Sequence, residues 1–180
     1  ESPSHIAVCF DPPGGTFRHE AYEEYKAQRE ATPEGIKQAV PYIKRIVEAY
    51  RIPIYEVAGY EADDVIGTLA HKGAAAGFET YMVTGDKDFG QLVAPGVKIY
   101  NPAKGIIEGV DEIKAKYGID SPLQVIDLLG LMGDAADNIP GCPGVGPKTA
   151  EKLIHQFGSI ENLLDHTAEV KGTLQKKIAD

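Results

Sequence analysis

The chain of 180 residues lacks tryptophan, has only two cysteines, Cys9 and Cys142, and contains no run of about 18 apolar residues. Because a transmembrane helix needs such a run, the sequence predicts no membrane span. Two cysteines are too few for a disulfide framework, which favours a reducing cytoplasm. The first residues, ESPSHIAVCF, also lack the charged, apolar and small-residue regions of a signal peptide.

Basic residues are scarce as well, because 18 lysines and arginines stand against 27 aspartates and glutamates and the net charge is −9. Taken as a whole, this balance argues against a nucleic-acid ligand, for which a basic surface is expected. The acids are unevenly placed, however, and eight of the 27 are candidate cation ligands: Asp11, Glu61, Asp63, Asp64, Asp86, Asp88, Asp134 and Asp137. If these eight bind cations, the remaining charges nearly cancel, and a phosphate-bearing substrate is compatible with the sequence.

Three of these acids crowd into residues 59–66, GYEADDVI, directly before an apolar helical run. Like charges this close repel, and each raises the pKa of its neighbours, so the cluster indicates a bound cation. The alternative is that acids in the first turn of a helix complement its dipole. That alternative explains one or two acids, but not the further clusters GDKD at 85–88 and GDAADN at 133–138.

Apolar periodicity predicts three strands, at 5–10, 52–57 and 80–83, and three helices, at 16–30, from Pro33 to near Tyr50, and starting within GYEADDVI. This alternation is typical of a parallel, helix-flanked sheet and therefore of an α/β fold. A β-hairpin is predicted at 97–108, after which the strands stop and short helices follow. We therefore expect an α/β core over residues 1–110 and a helical module over residues 111–180.

The first two predicted helices present different faces. The first has a basic and aromatic face, on which phosphates can pair with cations and bases can stack on rings: Arg18, Tyr22, Tyr25, Lys26 and Arg29. A solvated helix with i,i+4 ion pairs is the alternative. The second repeats apolar residues at helical spacing and is predicted to face the core: Ile36, Ala39, Val40, Ile43, Ile46 and Val47.

Asp11, GYEADD and GDKD each follow a predicted strand. Because parallel strands end at one edge of a sheet, where open α/β folds bind ligands, we expect these acids to converge there. A simple turn-forming aspartate is the alternative for Asp11. Carboxylates without nearby histidine or cysteine suit Mg²⁺ or Mn²⁺. Their number indicates two ions, about 4 Å apart, that clamp a phosphodiester.

The stretch 133–154, GDAADNIPGCPGVGPKTAEKLI, passes from a Gly/Pro-rich turn into a helix at Pro147. Its backbone N–H groups and helix N-terminus form a candidate anion site, and Lys148 and Lys152 add charge nearby. Such a site binds a backbone phosphate without reading base sequence. An ordinary helical hairpin is the alternative.

Four long stretches resemble the 5′-nuclease domain of bacterial DNA polymerase I, which is grouped with flap endonucleases and phage 5′-exonucleases: FDPPGGTFRHEAYEEYKAQR, GYEADDVIGTLA, VTGDKDFGQLV and LMGDAADNIPGCPGVGPKTA. The resemblance covers nearly the whole chain. It implies a PIN-like, flap-endonuclease-like fold with a helix–three-turn–helix around residues 138–155. It also implies an N-terminal truncation, because the family's first strand, with another ligand aspartate, and its first helix are absent. A polymerase domain would follow the C-terminus.

The resemblance further implies a bacterial, nucleoid-associated enzyme that uses two Mg²⁺ or Mn²⁺ ions on DNA 5′ ends, 5′ flaps and RNA primer–DNA junctions in replication and repair. The two ligand sets would be Asp11, Glu61, Asp63 and Asp64, and Asp86, Asp88, Asp134 and Asp137. Lys26 and Arg29 would stabilise charge at the phosphate. The single strand would contact Arg18, Tyr22 and Tyr25. The duplex backbone would lie at Gly144, Gly146, Lys148, Thr149 and Lys152. Main-chain carbonyls of the helix–three-turn–helix would hold a K⁺ ion.

Two other functions fit parts of the pattern. The acids of GDKD also suit a Mg²⁺-dependent phosphatase or phosphotransferase, which needs a nucleophilic aspartate and no duplex-binding hairpin. A catalytically inactive DNA-binding module would keep the hairpin and bind a flapped duplex without cleaving it.

Overall fold

The computed structural model describes residues 2–179, which mix α and β structure in two units, residues 1–69 and 70–180. Among the described residues, no helix is long and apolar enough to cross a membrane. The division near residue 110 that the sequence suggests concerns the change from strands to helices, and it stays a prediction.

The first unit contains a two-stranded parallel sheet, β1 (Val8–Cys9) and β2 (Ile54–Tyr55). Both strands are shorter than predicted, but their parallel pairing confirms the expected type of sheet. Three helices accompany them, and the third runs on into the second unit: α1 (Phe17–Ala21), α2 (Glu34–Ala49) and α3 (Ala62–Ala75).

The prediction of one helix over residues 16–30 is wrong beyond Ala21. Tyr22 is extended, residues 23–28 form turns, and Lys26 has a φ of 56°. Tyr25 is only 4 % exposed, so it does not belong to an exposed aromatic face. Hydrogen bonds from Tyr25 and Lys26 to Glu61 override the helical preference of this segment.

The prediction that α2 faces the core is also wrong within the first unit, although its bounds agree with the sequence. None of its residues is buried, and Ile36, Ile43 and Ile46 are each about half exposed. The strands β1 and β2 have two residues each, so they offer too little surface to cover a helix of 16 residues.

In the second unit, β3 (Thr80–Val83) pairs in parallel with β4 (Val97–Asn101), which pairs antiparallel with β5 (Ile106–Glu108). The third predicted strand and the predicted hairpin are therefore confirmed. Met82, Val97 and Ile99 are buried, as expected for strands that alternate their side chains.

The helices that follow agree with the predicted helical module: α4 (Val110–Tyr117), α5 (Gln124–Met132), α6 (Pro147–Phe157), α7 (Ile160–Asp165) and α8 (Thr173–Ala179). The expectation that strands stop after residue 110 is wrong, because β6 (Gly133–Asp134) pairs antiparallel with β7 (Ile139–Pro140). Two-residue strands carry too little apolar alternation to be recognised from sequence.

Helix α6 contributes a continuous apolar stripe to the core of the second unit. The stripe follows the i, i+3, i+4, i+7 spacing of an amphipathic helix: Ala150, Leu153, Ile154 and Phe157. Two polar contacts fix the neighbouring helices, since Gln124 donates to the Gly158 carbonyl and Asp127 accepts from the Ile160 N–H.

Because Ile154 is fully buried, the substitution Ile154→Ala should lower the free energy of unfolding by about 2–5 kcal/mol through lost transfer energy and a cavity. Denaturant unfolding followed by circular dichroism measures this change. The matched control is Leu164→Ala on α7, whose side chain is 51 % exposed and should lose much less stability. Equal losses in both variants would contradict the packing described for α6.

Candidate metal and nucleic-acid sites

In the first unit, the chain's own cations bind two carboxylates of GYEADDVI. Arg18 donates two hydrogen bonds to Asp64, at 2.7 and 2.8 Å, in a bidentate ion pair. The Glu61 carboxylate accepts hydrogen bonds from Lys26 at 2.7 Å and from the Tyr25 hydroxyl at 3.0 Å. These contacts join α1 and the segment after it to the start of α3.

The pKa directions agree with this pairing. The hydrogen bond from Arg18 lowers the pKa of Asp64, against an opposing effect of burial, and the hydrogen bond to Asp64 raises the pKa of Arg18. Both groups are therefore charged at neutral pH. The crowding of acids that indicated a bound cation in the sequence is met here by side-chain cations.

Asp11 lies just after β1, and its Oδ1 accepts a 2.7 Å hydrogen bond from the N–H of Ala62, the first residue of α3. It thus satisfies a helix N-terminus 51 residues away and is more than a turn former. Asp64 closes the same turn by accepting from the Glu61 N–H, while Asp63 is exposed.

In the second unit, the acids of GDKD lie at the start of a 3₁₀ turn, Lys87–Leu92, which follows the carboxyl end of β3. Asp86 caps this turn by accepting from the Asp88 N–H at 2.9 Å. Lys87, between the two acids, reaches Asp134 at 2.7 Å. Two acidic clusters that are far apart in sequence, GDKD and GDAADN, are therefore brought together.

Asp88 is the least compensated acid of this cluster. Its Oδ1 is buried and has no hydrogen-bond partner among the described residues, and the nearest cation, Lys87 Nζ, is 3.7 Å away. Burial, followed by the charge of Asp86, raises the pKa of Asp88. For Asp134, burial raises the pKa, but hydrogen bonds from Lys87 and the Ala136 N–H outweigh it and lower the pKa overall.

A close backbone crossing positions Asp134. A Cβ on Gly133 would lie 2.3 Å from the Gly141 nitrogen, and a Cβ on Gly141 would lie 2.2 Å from the Met132 carbonyl carbon. Only glycine fits at both positions, since such distances exclude any side chain. The crossing turns the chain after α5 so that Asp134 faces Lys87.

The second cluster is the set of acids in the second unit: Asp86, Asp88, Asp134 and Asp137. Its donor chemistry fits a hard divalent cation, because it offers carboxylate oxygens, and one of them, on Asp88, is buried without a hydrogen-bond partner among the described residues. As they stand, no three His, Cys, Asp or Glu side chains in residues 2–179 converge closely enough to hold a metal ion. Binding would therefore require rotation of carboxylates such as Asp86 and Asp137. In the first unit, an ion at Glu61 would have to replace Lys26.

The predicted anion site begins where the Cys142 N–H donates to the Leu131 carbonyl and the Val145 N–H donates to the Cys142 carbonyl. Val145 is buried, and Gly146 is the N-cap of α6, with Pro147 in the first turn. Gly144, Gly146, Lys148 and Lys152 are exposed on this stretch, and Thr149 is half-buried. The residues expected to contact a phosphate backbone thus share one exposed stretch.

Sequence reasoning missed several contacts, among them three ion pairs: Arg18 with Asp64, Lys26 with Glu61, and Lys87 with Asp134. The resemblance predicts that Arg18 contacts the single strand and that Lys26 stabilises charge at the phosphate, but in the structure both bind predicted metal ligands. For Lys87, the position between two acids in GDKD is a sequence signal that indicates an ion pair with a carboxylate. The first two pairs span 46 and 35 residues, and no local pattern encodes them.

Family models match almost the entire chain: the 5′-3′ exonuclease N-terminal resolvase-like domain at residues 1–118, and the 5′-3′ exonuclease C-terminal SAM fold at residues 120–180. DNA polymerase I of Bacillus caldotenax is 46 % identical over 98 % of this chain, which covers 20 % of that protein. A 5′-3′ exonuclease of Aquifex aeolicus is 42 % identical over 91 % of this chain, which covers 56 % of it. The chain thus spans about a fifth of the polymerase relative.

Among solved structures, zinc-bound T5 5′-exonuclease matches 97 % of this chain with a TM-score of 0.82 and 24 % identity, and the chain covers 69 % of it. The catalytic core of Rad2 in complex with DNA matches 94 % with a TM-score of 0.58 and 20 % identity, and the chain covers 56 % of it. The fold class is therefore that of the 5′-exonucleases and flap endonucleases, as the sequence predicted. More particularly, this chain belongs to the 5′-3′ exonuclease family, through both its resolvase-like and its SAM-fold regions.

Removing the charge of Asp88 should stabilise the metal-free protein. The raised pKa means that the fold disfavours the ionised form, so stability falls as the pH rises through the folded pKa and the penalty is present above it. Asp88→Asn should therefore raise the Tm by a few degrees at pH 7 without metal.

Thermal unfolding without Mn²⁺ measures the predicted gain in Tm, and the same measurement with Mn²⁺ tests whether Asp88 binds the ion. Mn²⁺ should raise the Tm of the unsubstituted protein more than that of Asp88→Asn. The matched control is Asp111→Asn in the first turn of α4, which should lose about 0.3–1 kcal/mol of dipole stabilisation and keep the full Mn²⁺ effect. A lower Tm for metal-free Asp88→Asn would contradict the uncompensated charge.

Proposed function

We propose that the chain is the 5′-nuclease region of a DNA polymerase I-type protein and hydrolyses phosphodiester bonds at DNA 5′ ends and 5′ flaps. The observation that carries the proposal is family membership over the whole chain, joined to two carboxylate clusters and an exposed lysine-bearing hairpin. A flap endonuclease of bacteriophage T5, solved in complex with DNA and metal ions, is 25 % identical over 97 % of this chain at a TM-score of 0.80, and the chain covers 67 % of that protein.

The proposed cofactor is Mg²⁺ or Mn²⁺, with one ion for each acidic cluster. The second cluster would hold its ion through Asp86, Asp88, Asp134 and Asp137. The first would use Asp11, Glu61, Asp63 and Asp64 after Lys26 and Arg18 leave the carboxylates. Bound ions would polarise the phosphodiester and offset its charge. We also propose K⁺ at the main-chain carbonyls of the α6 hairpin.

The chain's own cations would act on the phosphate. Lys26 and Arg29 are proposed to stabilise the negative charge that develops there, because preorganised cations do so without solvent rearrangement. Arg18 and the partly exposed Tyr22 would hold the single strand. Tyr25 is not available for stacking while its hydroxyl binds Glu61 in the interior. RNA primer–DNA junctions and a following polymerase domain belong to the same proposal.

Asp86→Asn and Asp88→Asn should each lower the rate of flap cleavage at least about a hundredfold while changing DNA affinity less than about twofold, because they remove proposed metal ligands and not phosphate contacts. A 5′-labelled flap DNA with Mg²⁺ measures cleavage, and fluorescence anisotropy in Ca²⁺ measures binding. The control Asp111→Asn should cleave normally. Full activity in either cluster variant would remove the metal assignment, and hydrolysis of p-nitrophenyl phosphate without DNA cleavage would favour a phosphatase.

Lys148→Glu should weaken duplex binding about tenfold and reduce the slope of log affinity against log salt by about one, because it removes a phosphate contact and its released counterion. Titrations of the same DNA at several KCl concentrations measure both quantities. Lys104→Glu, an exposed lysine of the β4–β5 hairpin, is the matched charge control. Unchanged binding by Lys148→Glu would take the α6 hairpin out of the interface.

A further inference from the structure

Lys177, near the end of α8, lies against the loop that leads into α6. A Cβ on Gly144 would be 2.8 Å from Lys177 Nζ and 3.8 Å from its Cδ. The Cys142 thiol donates to the Lys177 carbonyl at 3.5 Å. The backbone and the side chain of this residue therefore both contact the loop, and α8 places the ammonium group beside Gly144.

The Lys177 ammonium group lies where a side chain at position 144 would be, and it fits there because Gly144 has none. The Val145 N–H donates to the Cys142 carbonyl at 3.0 Å, which closes a turn with Pro143 and Gly144 at its central positions. The φ of Gly144 is +84°, a value that suits glycine at the third position of such a turn. Any side chain here would be strained and would also displace the Lys177 head group.

The charges around this loop differ from those of the whole chain. Residues 141–180 contain five lysines and five acids, a balance of charge, whereas the chain as a whole is strongly acidic. Upstream, Lys87, Lys98 and Lys116 are ion-paired with carboxylates. Lys177 is exposed, and its ammonium group makes no ion pair or hydrogen bond with any residue that the structure describes.

We propose that Lys177 is a further phosphate-binding residue, which contacts the backbone of the same DNA duplex as the α6 hairpin. An ammonium group without a carboxylate partner, held beside an exposed main-chain turn, is complementary to a phosphodiester and blind to base sequence. The inference rests on the proposed function, since the ligand is the duplex. It adds α8, which the sequence had not linked to the hairpin, to the DNA-binding surface.

The test is binding of the full chain to a fluorescent duplex with a 5′ flap, in Ca²⁺, from 50 to 200 mM KCl (concentrations chosen to span roughly the range over which phosphate contacts lose affinity). Lys177→Gln should bind about three- to fivefold more weakly and reduce the salt slope by about 0.9, the value for one phosphate contact. Lys177→Arg should retain near-normal affinity. The matched control is Lys176→Gln, which removes the same charge one position earlier, about 100° around the helix, and should bind normally.

The outcomes separate this inference from the proposed function. Normal binding by Lys177→Gln, while Lys148→Glu is weakened, would overturn the role of Lys177 and leave the DNA-binding hairpin in place. Equal losses in Lys176→Gln and Lys177→Gln would show an effect of net charge and also overturn it. If the unsubstituted chain does not bind the duplex at all, both proposals fall.

Discussion

The structure depends on how crowded carboxylates are neutralised. In the first unit, Arg18 and Lys26 supply the positive charge for Asp64 and Glu61, and the Tyr25 hydroxyl completes the hydrogen bonding. Glu61 is only 8 % exposed, and a buried carboxylate is tolerated only when it is paired in this way. Charge pairing, together with the buried Tyr25 ring, therefore holds α1 and the segment after it against the start of α3.

The second unit neutralises its acids less completely. One lysine, Lys87, serves Asp134 through a short ion pair and Asp88 only at 3.7 Å, and Asp88 Oδ1 is left buried without a partner among the described residues. A polar atom in this state costs free energy that an apolar substitution would avoid. A divalent cation, as proposed for this cluster, would supply the missing partner, because carboxylate oxygens are the ligands that such a cation prefers.

Local patterns predicted local structure well. The strand at 80–83, the hairpin at 97–108 and the helix that begins at Pro147 all follow from residues that are close in sequence. The helix expected over 16–30 failed because Tyr25 and Lys26 bind Glu61, which is 35 or more residues away. The burial of α2 failed because periodicity shows which face is apolar, not whether the first unit contains anything to cover it.

The net charge of the whole chain, like apolar periodicity, does not show where groups lie in the fold. Taken alone, it argues against a nucleic-acid partner. Net charge sums over groups with different roles, whereas binding depends on where unpaired charges lie. Here the acids collect around Lys87 and around Arg18, while Lys148, Lys152 and Lys177 make no ion pair with any described residue. An acidic net charge is therefore compatible with the proposed phosphate-binding surface, because these acids collect around side-chain cations while the three lysines carry no ion pair among the described residues.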